Sequence, residues 1–339
     1  YDCMAKEPEK RPTAAQLQAY AEEVIQDLPR TKPWAQGAAV KKQKAAKPKR
    51  EKPAEPKAKQ EKDPKPDNKK FKTAAMVIVP ILVVLTVLVA GLIWGNKSSA
   101  AVRMDGNTLK FAVDGQEYSY KMVHVDGGTY NMGAQKTSST SANYDPDACS
   151  DESPVHRVTV SGFYMGQTEV TQALWKAVMG SNPSNWKGNN LPVESVSYND
   201  CMKFINKLNQ LTGRRFRLPT EEEWEFAARG GNNSQGYKYS DSNDIGTVAW
   251  YYGNSGNKTH PVAQKRSNEL GLYDMSGNVS EWCSSIWCSD YSSSRSGSYR
   301  VDRGGGWSGG AGSCRLSYRD YFTPGYRGGG LGFRLALSE

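Results

Sequence analysis

Two acidic side chains around one glycine carry the clearest metal-binding chemistry in this sequence. Asp274 and Glu281 stand seven residues apart. Three backbone carbonyls lie between them and can also face a metal: those of Met275, Gly277 and Val279. Carboxylate and carbonyl oxygens are the hard donors that Ca²⁺ prefers, and Gly277 permits the turn that would bring them together. The segment predicts a calcium site, with a hydrogen-bonded turn without metal as the alternative.

Cysteine is the second residue type with possible chemistry, and an odd number, five, follows residue 100. Cys201 falls on the apolar face of a predicted helix, so we expect a buried thiol. Cys283 and Cys314 form the favoured disulfide candidate, although a sequence does not fix connectivity. Cys283 and Cys288 have no His or further Cys partners nearby, which disfavours zinc.

The C-terminal segment, residues 303–334, has the composition of an adaptable binding surface. Arg, Trp, Pro and Gly positions typical of a scaffold alternate with small or aromatic residues. Aromatic rings supply contact area and small residues supply fit. We expect ligand contacts from Trp307, Ser308, Ser313, Tyr318, Asp320, Tyr321, Phe322 and Tyr326. An ordinary glycine-rich loop over a core is the alternative.

The elements that must position these residues are short. The sequence predicts helices capped by Thr171, by Ser197 and by a Thr220–Glu223 capping box. Residues 96–121 contain two Asp-Gly pairs and predict a hairpin that leads into the main domain. Between these elements the chain is rich in turn residues, so the fold class is α+β with much irregular structure.

The formal net charge of +9 is confined to one run of the chain. Residues 41–72 hold fourteen basic and five acidic residues with five prolines, so they account for all of it. We interpret 31–72 as a disordered linker that rests on anionic lipid head groups, not as a nucleic-acid footprint. A nucleic-acid tail is the alternative, and the apolar stretch that follows disfavours it.

Residues 73–95 carry no charge and predict one transmembrane helix, since about 20 apolar residues cross a bilayer. The basic run precedes this span, so the positive-inside rule places residues 1–72 in the cytoplasm and 96–339 outside. A buried helix of a water-soluble domain is the alternative, but it would seldom be apolar on every face.

Residues 1–30 are too few for a core of their own, and the chain begins at Tyr1. We therefore expect a piece of a longer protein. The string CMAKEPEKRPTAAQL resembles the last segment of eukaryotic-type Ser/Thr protein kinases, in which an Arg equivalent to Arg11 buttresses the C-lobe. The kinase catalytic residues are absent from this sequence, so we do not expect phosphoryl transfer by this chain.

Residues 122–339 resemble the formylglycine-generating enzyme, or sulfatase-modifying factor, family. Seven blocks carry the resemblance in order: MVHVDGGTYNMG, ESPVHRVTVSGFYMGQTEVTQALW, LPVESVSYND, RLPTEEEWEFAARGG, GLYDMSGNVSEW, RVDRGGGW and LGFRLA. The resemblance implies a variant of the C-type lectin fold. It also implies that the 274–281 loop matches a calcium loop of the family.

This sequence lacks part of the residue set that enzymes of that family use for catalysis. Members that oxidise a sulfatase cysteine use a pair of C-terminal cysteines to bind copper, and thiolates suit Cu(I). Gly309 stands where the first thiol is expected, and only Cys314 follows Cys288. We therefore expect no copper and no oxidase activity, with a formylglycine-generating oxidase as the alternative function.

The C-terminal segment also resembles the variable proteins of diversity-generating retroelements, several of which use the same lectin-like fold. The whole sequence then predicts a single-pass membrane protein with an extracytoplasmic ligand-binding or sensor domain. The ligand would be a protein, a peptide or a glycan. In the full-length protein, a cytoplasmic Ser/Thr kinase would be coupled to this domain.

Overall fold

Short strands dominate the part of the chain that the computed structural model describes, residues 102–339. They are β1 (Arg103–Asp105), β2 (Thr108–Val113), β3 (Gln116–Val125), β4 (Gly128–Met132), β5 (His156–Val160), β6 (Phe163–Gly166), β7 (Phe216–Arg217), β8 (Ser280–Ile286), β9 (Arg300–Arg303), β10 (Arg319–Phe322), β11 (Leu331–Gly332) and β12 (Ala336–Ser338). A six-stranded antiparallel sheet has the order β1-β2-β3-β6-β12-β7, and a four-stranded sheet has the order β10-β9-β8-β11. Strands β4 and β5 form a separate hairpin.

Four α-helices lie among these residues: α1 (Gln172–Met179), α2 (Tyr198–Thr212), α3 (Glu221–Ala228) and α4 (Ile245–Val248). The three predicted caps are confirmed. The side chains of Thr171, Ser197 and Thr220 accept hydrogen bonds from the first turns of α1, α2 and α3, and the last two belong to capping boxes. Local side-chain chemistry therefore fixes where each of these helices begins. The predicted α+β class is confirmed.

The predicted hairpin exists, but it belongs to the main sheet. Strands β2 and β3 pair around Asp114 and Gly115, and β3 continues through the predicted domain boundary at residue 121 to pair with β6. The kinase-like piece, the linker and the apolar stretch 73–95 lie outside the described residues. Among residues 102–339, no helix is long and apolar enough to cross a bilayer.

Two large apolar clusters form most of the core of the described part. In one, Trp175 of α1 stacks on Phe204 of α2 with ring centroids 5.1 Å apart, and Phe333 meets both rings edge-on. In the other, Trp224 of α3 packs in a cluster that also contains Leu316 of the C-terminal segment. The helices thus bury their apolar faces against the sheets, and the C-terminal segment contributes to both clusters.

The cysteine predictions have mixed outcomes. Cys201 is a buried thiol on α2, as predicted, and burial raises its pKa. The predicted disulfide between Cys283 and Cys314 is wrong, because both residues are thiols. Cys283 lies on β8 within the second apolar cluster, whereas Cys314 packs with Tyr239 in a separate small cluster. The two side chains therefore serve different parts of the core.

Buried ion pairs anchor the C-terminal segment to the rest of the domain. Four of its arginines are at most 1% exposed, and each contacts a buried glutamate that lies outside the segment. The pairs are Arg303 with Glu225, Arg315 with Glu152, Arg319 with Glu221 and Arg334 with Glu281. A buried guanidinium is tolerated only when its charge and its N–H donors are matched, so these pairs fix where the segment runs.

We expect Arg319→Leu to lower the free energy of unfolding by about 3–5 kcal/mol, because it leaves the Glu221 carboxylate buried without its main partner. The matched control is Arg215→Leu, which removes an exposed arginine and should change stability little. Urea unfolding of the two variants measures the difference. Equal losses would show that burial of the pair is not what stabilises the segment.

Candidate ligand-binding cavity

Strands β9 and β10 place two carboxylates side by side. The strands are antiparallel, and Asp302 of β9 stands directly opposite Asp320 of β10. Side chains alternate between the two faces of a strand, so Arg303 and Arg319 point to the opposite face, toward their buried glutamates. One face of this strand pair therefore holds the anchoring charges, and the other carries Asp302 and Asp320.

A cavity of about 200 Å³ opens on the face that carries the two aspartates. Strands β8, β9 and β10 and the loops that follow β9 and β10 surround it. Its lining residues are Ser280, Asp302, Gly305, Gly306, Ser308, Gly309, Ser313, Tyr318, Asp320, Phe322 and Gly330. The lining combines carboxylates, hydroxyls, two aromatic rings and exposed backbone, which is the mixture that fixes the orientation of a bound group.

The structure brings together most of the residues predicted to contact a ligand. Five of the eight line the cavity: Ser308, Ser313, Tyr318, Asp320 and Phe322. Trp307 and Tyr326 do not line it but contact its walls, since Tyr326 stacks on Phe322 with ring centroids 4.2 Å apart. Tyr321 is on the other face of β10 and stacks on Trp287. The period-two alternation of the strand separates Tyr321 from its neighbours in sequence.

The loop 323–330 is held against the start of α2. Arg327 Nε donates to Asp200 Oδ2 over 2.7 Å, and the backbone N–H of Asn199 donates to the carbonyl of Pro324. Burial opposes ionisation of Asp200, but hydrogen bonds from Arg327 and Ser197 outweigh it and lower the pKa of Asp200 to about 2. A residue of a helix capping box thus also positions one wall of the cavity.

Glycine at position 305 is required by the backbone of the cavity. Gly305 has φ +64°, and a Cβ placed there would lie 2.6 Å from the carbonyl oxygen of Ser313. Any side chain would therefore push away the short 3₁₀ turn Ala311–Cys314, which carries Ser313 into the cavity. The close approach of these two backbone segments gives the cavity its small size.

The predicted calcium loop is buried, and its two carboxylates accept hydrogen bonds from other residues of the domain. Gly277 has φ +84°, as its predicted turn requires. Glu281 accepts hydrogen bonds from Arg334 and, over 2.7 Å, from Trp224 Nε1. Asp274 accepts one bond, from the backbone N–H of Ala263. Glu281 is therefore part of an anchoring ion pair as well as a predicted ligand.

Glu169, which the sequence analysis missed, completes a group of three buried carboxylates with Asp274 and Glu281. Oδ1 of Asp274 and both carboxylate oxygens of Glu169 accept no hydrogen bond from the described residues. Burial and the neighbouring carboxylates raise the pKa of Asp274 to about 6 and that of Glu169 well above its usual range. When all three carboxylates are ionised, they carry two more negative charges than the single charge of Arg334 balances, whereas the raised pKa values favour protonation when no cation is bound. Hard oxygen donors and this excess both fit a divalent cation.

Two functional residues were not identified from the sequence. Asp302 sits in a strand between Val301 and Arg303, and only the pairing register with β10 reveals its neighbour Asp320. Glu169 lies more than a hundred residues before the predicted calcium loop. A long-range contact of this kind leaves no spacing signal in a single sequence.

Comparison with known proteins gives one family. The sulfatase-modifying factor enzyme 1-like domain matches residues 110–339. Chaperone protein LppX of Paenibacillus barcinonensis is 34% identical over 268 residues, covering 64% of this chain and 89% of that protein. Inactive C-alpha-formylglycine-generating enzyme 2 of Mus musculus is 35% identical over 184 residues, covering 50% of this chain and 56% of that protein.

A kinase and a solved structure extend the comparison. Serine/threonine-protein kinase Pkn1 of Chlamydia trachomatis is 26% identical over 255 residues, covering 64% of this chain but only 38% of the kinase. The solved structure of Treponema denticola variable protein 1 superposes with a TM-score of 0.58 and 32% identity, covering 69% of this chain and 100% of that one. The fold and the family domain are therefore shared with proteins of differing named roles.

The Asp200–Arg327 contact predicts a pH dependence of stability. A carboxylate with a lowered pKa stabilises the fold above its unfolded pKa of about 4, and this contribution is lost as the pH falls toward about 2. We expect Asp200→Asn to lower the thermal midpoint at neutral pH, with the difference from wild type shrinking over that acidic range. A difference that stays constant with pH would contradict this origin. Asp105→Asn, at an exposed site, controls for net charge.

Proposed function

The chain belongs to the family of sulfatase-modifying factor enzyme 1-like domains, and we propose that its domain binds a ligand in the cavity between β9 and β10. The observation that carries the proposal is the cavity itself, which gathers five of the predicted contact residues on a frame fixed by buried ion pairs. Loops that bind ligands are commonly displayed on rigid scaffolds in this way.

Binding is favoured over oxidation by the residues at the copper positions of the family. Gly309 lines the cavity and has no side chain to ligate copper, while Cys314 is fully buried beside Tyr239. Two relatives support the same conclusion by name, one as an inactive enzyme and one as a variable protein. Formation of formylglycine from a sulfatase cysteine peptide with Cu(I) and oxygen would overturn this proposal.

We also propose that the domain is displayed outside the cell and coupled to a cytoplasmic kinase. The uncharged stretch 73–95, which follows the basic run, supports a membrane span. The similarity to Pkn1 supports the coupling to a kinase domain. Basic residues of the run would contact anionic lipids. Protease added to intact cells tests the orientation, since it should reach residues 96–339 and not 1–72.

The exposed positions of the C-terminal segment are proposed to be diversified. Small and aromatic residues at its surface alternate with buried arginines, and the similarity to variable protein 1 supports the comparison. A near-identical, Asn-rich DNA repeat and a reverse transcriptase gene beside this gene would support diversification. The absence of both would contradict it.

Filling the cavity should abolish binding. Gly330 has no positive φ, and a Cβ there would lie 3.5 Å from both Ser308 Oγ and Trp307 Nε1, an ordinary contact. We therefore expect Gly330→Leu to fold normally and to lose at least about tenfold in affinity for ligands found on peptide or glycan arrays. Gly325→Leu is the control, since no atom lies within 4 Å of its Cβ. Equal binding by both variants would place the site elsewhere.

Calcium is proposed as the cofactor held by Glu169, Asp274 and the carbonyls near Gly277. Bound Ca²⁺ would supply charge neutralisation and rigidity there. We expect Ca²⁺ at a hundred times its Kd to stabilise the chain by about 2.7 kcal/mol, seen as a higher thermal midpoint that EDTA reverses. Asp274→Asn should remove this response, and Asp105→Asn should keep it. A wild-type midpoint indifferent to Ca²⁺ and EDTA would contradict the site.

A further inference from the structure

A second cavity, which we call the β1 cavity, lies at the start of the described domain. Its volume is about 380 Å³, within the range of about 300–1,000 Å³ that is typical of ligand sites. Strands β1, β3, β6 and β12 and the loop after α2 surround it. Its lining includes the apolar side chains of Met104, Met122, Tyr164 and Leu337 and the charged side chains of Arg214 and Glu339.

Large apolar side chains make the β1 cavity suitable for hydrocarbon. Met122 of β3 is 1% exposed, and Met104, Tyr164 and Leu337 are half-buried and pack against the first apolar cluster. Methionine side chains are flexible and polarisable, so they adapt to apolar ligands of irregular shape. A hydrocarbon chain that entered this space would leave water for apolar surroundings, which is favourable.

The charge at the β1 cavity suits an anionic group at the end of such a chain. Arg214 is exposed, and its guanidinium has no hydrogen-bond or ion-pair partner among residues 102–339. Its neighbour Arg215 is exposed as well, and residues 201–219 hold five basic and no acidic residues. The other charged lining residue, Glu339, is paired with His124. A guanidinium matches the geometry of phosphate oxygens.

The place of β1 in the chain brings the β1 cavity within reach of lipid. Arg103, the first residue of β1, follows the uncharged stretch 73–95 by eight positions. A chain advances at most about 3.6 Å per residue, so fewer than about 30 Å separate β1 from the end of the proposed span. Leu211, three positions before Arg214, is 47% exposed and offers apolar surface to a membrane interface.

We propose that the β1 cavity holds an acyl chain of an anionic phospholipid from that membrane, with the lipid phosphate at Arg214 and Arg215. The acyl chain contacts Met104, Met122 and Leu337. Lipid in this cavity holds the domain against the membrane. The inference rests on the proposed membrane span, but it depends neither on the side of the membrane nor on the ligand of the cavity between β9 and β10.

Photo-crosslinking of the full 339-residue chain in nanodiscs tests the inference. The nanodiscs contain phosphatidylcholine and phosphatidylglycerol, and the phosphatidylglycerol carries a diazirine at the end of one acyl chain. We expect mass spectrometry to find crosslinks in peptides that contain Met104, Met122 or Leu337. The same diazirine on phosphatidylcholine should give at least about fivefold fewer of these crosslinks, because basic residues favour an anionic surface.

Three kinds of variant locate the lipid. Ser338→Trp adds an indole to an exposed lining residue and should remove the crosslinks in the lining peptides. Arg214→Gln should reduce the crosslinks from phosphatidylglycerol about fivefold, and Arg214→Lys should retain most of them. Lys136→Gln, which removes an exposed charge in the loop after β4, should crosslink as wild type. Thermal unfolding checks that each variant is folded.

Crosslinks in residues 73–95 report the proposed span in the same sample, so the two proposals can fail separately. Crosslinks in 73–95 without any in the lining peptides would overturn the lipid inference and leave the span in place. Lining crosslinks that persist in Ser338→Trp, or that are equally frequent from both lipids, would overturn it too. A chain that crosslinks in neither region would overturn both proposals.

Discussion

The burial of four guanidinium groups is the constraint on which the rest of this domain depends. A buried charge is costly unless an opposite charge and matched hydrogen bonds surround it. Each of these four arginines therefore has to meet a glutamate. The glutamates come from three separate places, namely α3, the turn at 150–152 and β8. The segment is thus tied to elements that are distant in sequence.

The separation of anchoring side chains from cavity-facing side chains explains the mixed composition of the C-terminal segment. On one face of β9 and β10, the side chains of Val301, Arg303, Arg319 and Tyr321 contribute to the ion pairs or to the core. On the other face, Asp302, Asp320 and Phe322 line the cavity. Asp320 and Phe322 face the cavity, whereas Arg319 and Tyr321 pack on the other face of β10. The loop beyond β10 is held by Arg327, whose contact with Asp200 lies at the surface.

Local features were predictable from the sequence, and long-range pairings were not. The helix starts at Thr171, Ser197 and Thr220 were correct because a cap depends on residues three positions apart. Five cavity residues were found because composition marks an adaptable surface. Tyr321 was misplaced and Asp302 missed because the face of a strand residue depends on register, and the proposed disulfide failed because Cys283 and Cys314 belong to different clusters.

The alternation of faces in the C-terminal segment also restricts how its gene can change. A substitution at Ser308 changes the lining of the cavity and breaks no ion pair of the described residues. An insertion or a deletion of one codon within β9 or β10 would exchange the two faces, burying Asp320 among the glutamates and turning Arg319 toward solvent. Residues of β9 and β10 that face the cavity can therefore be replaced during evolution, but the lengths of the two strands cannot change.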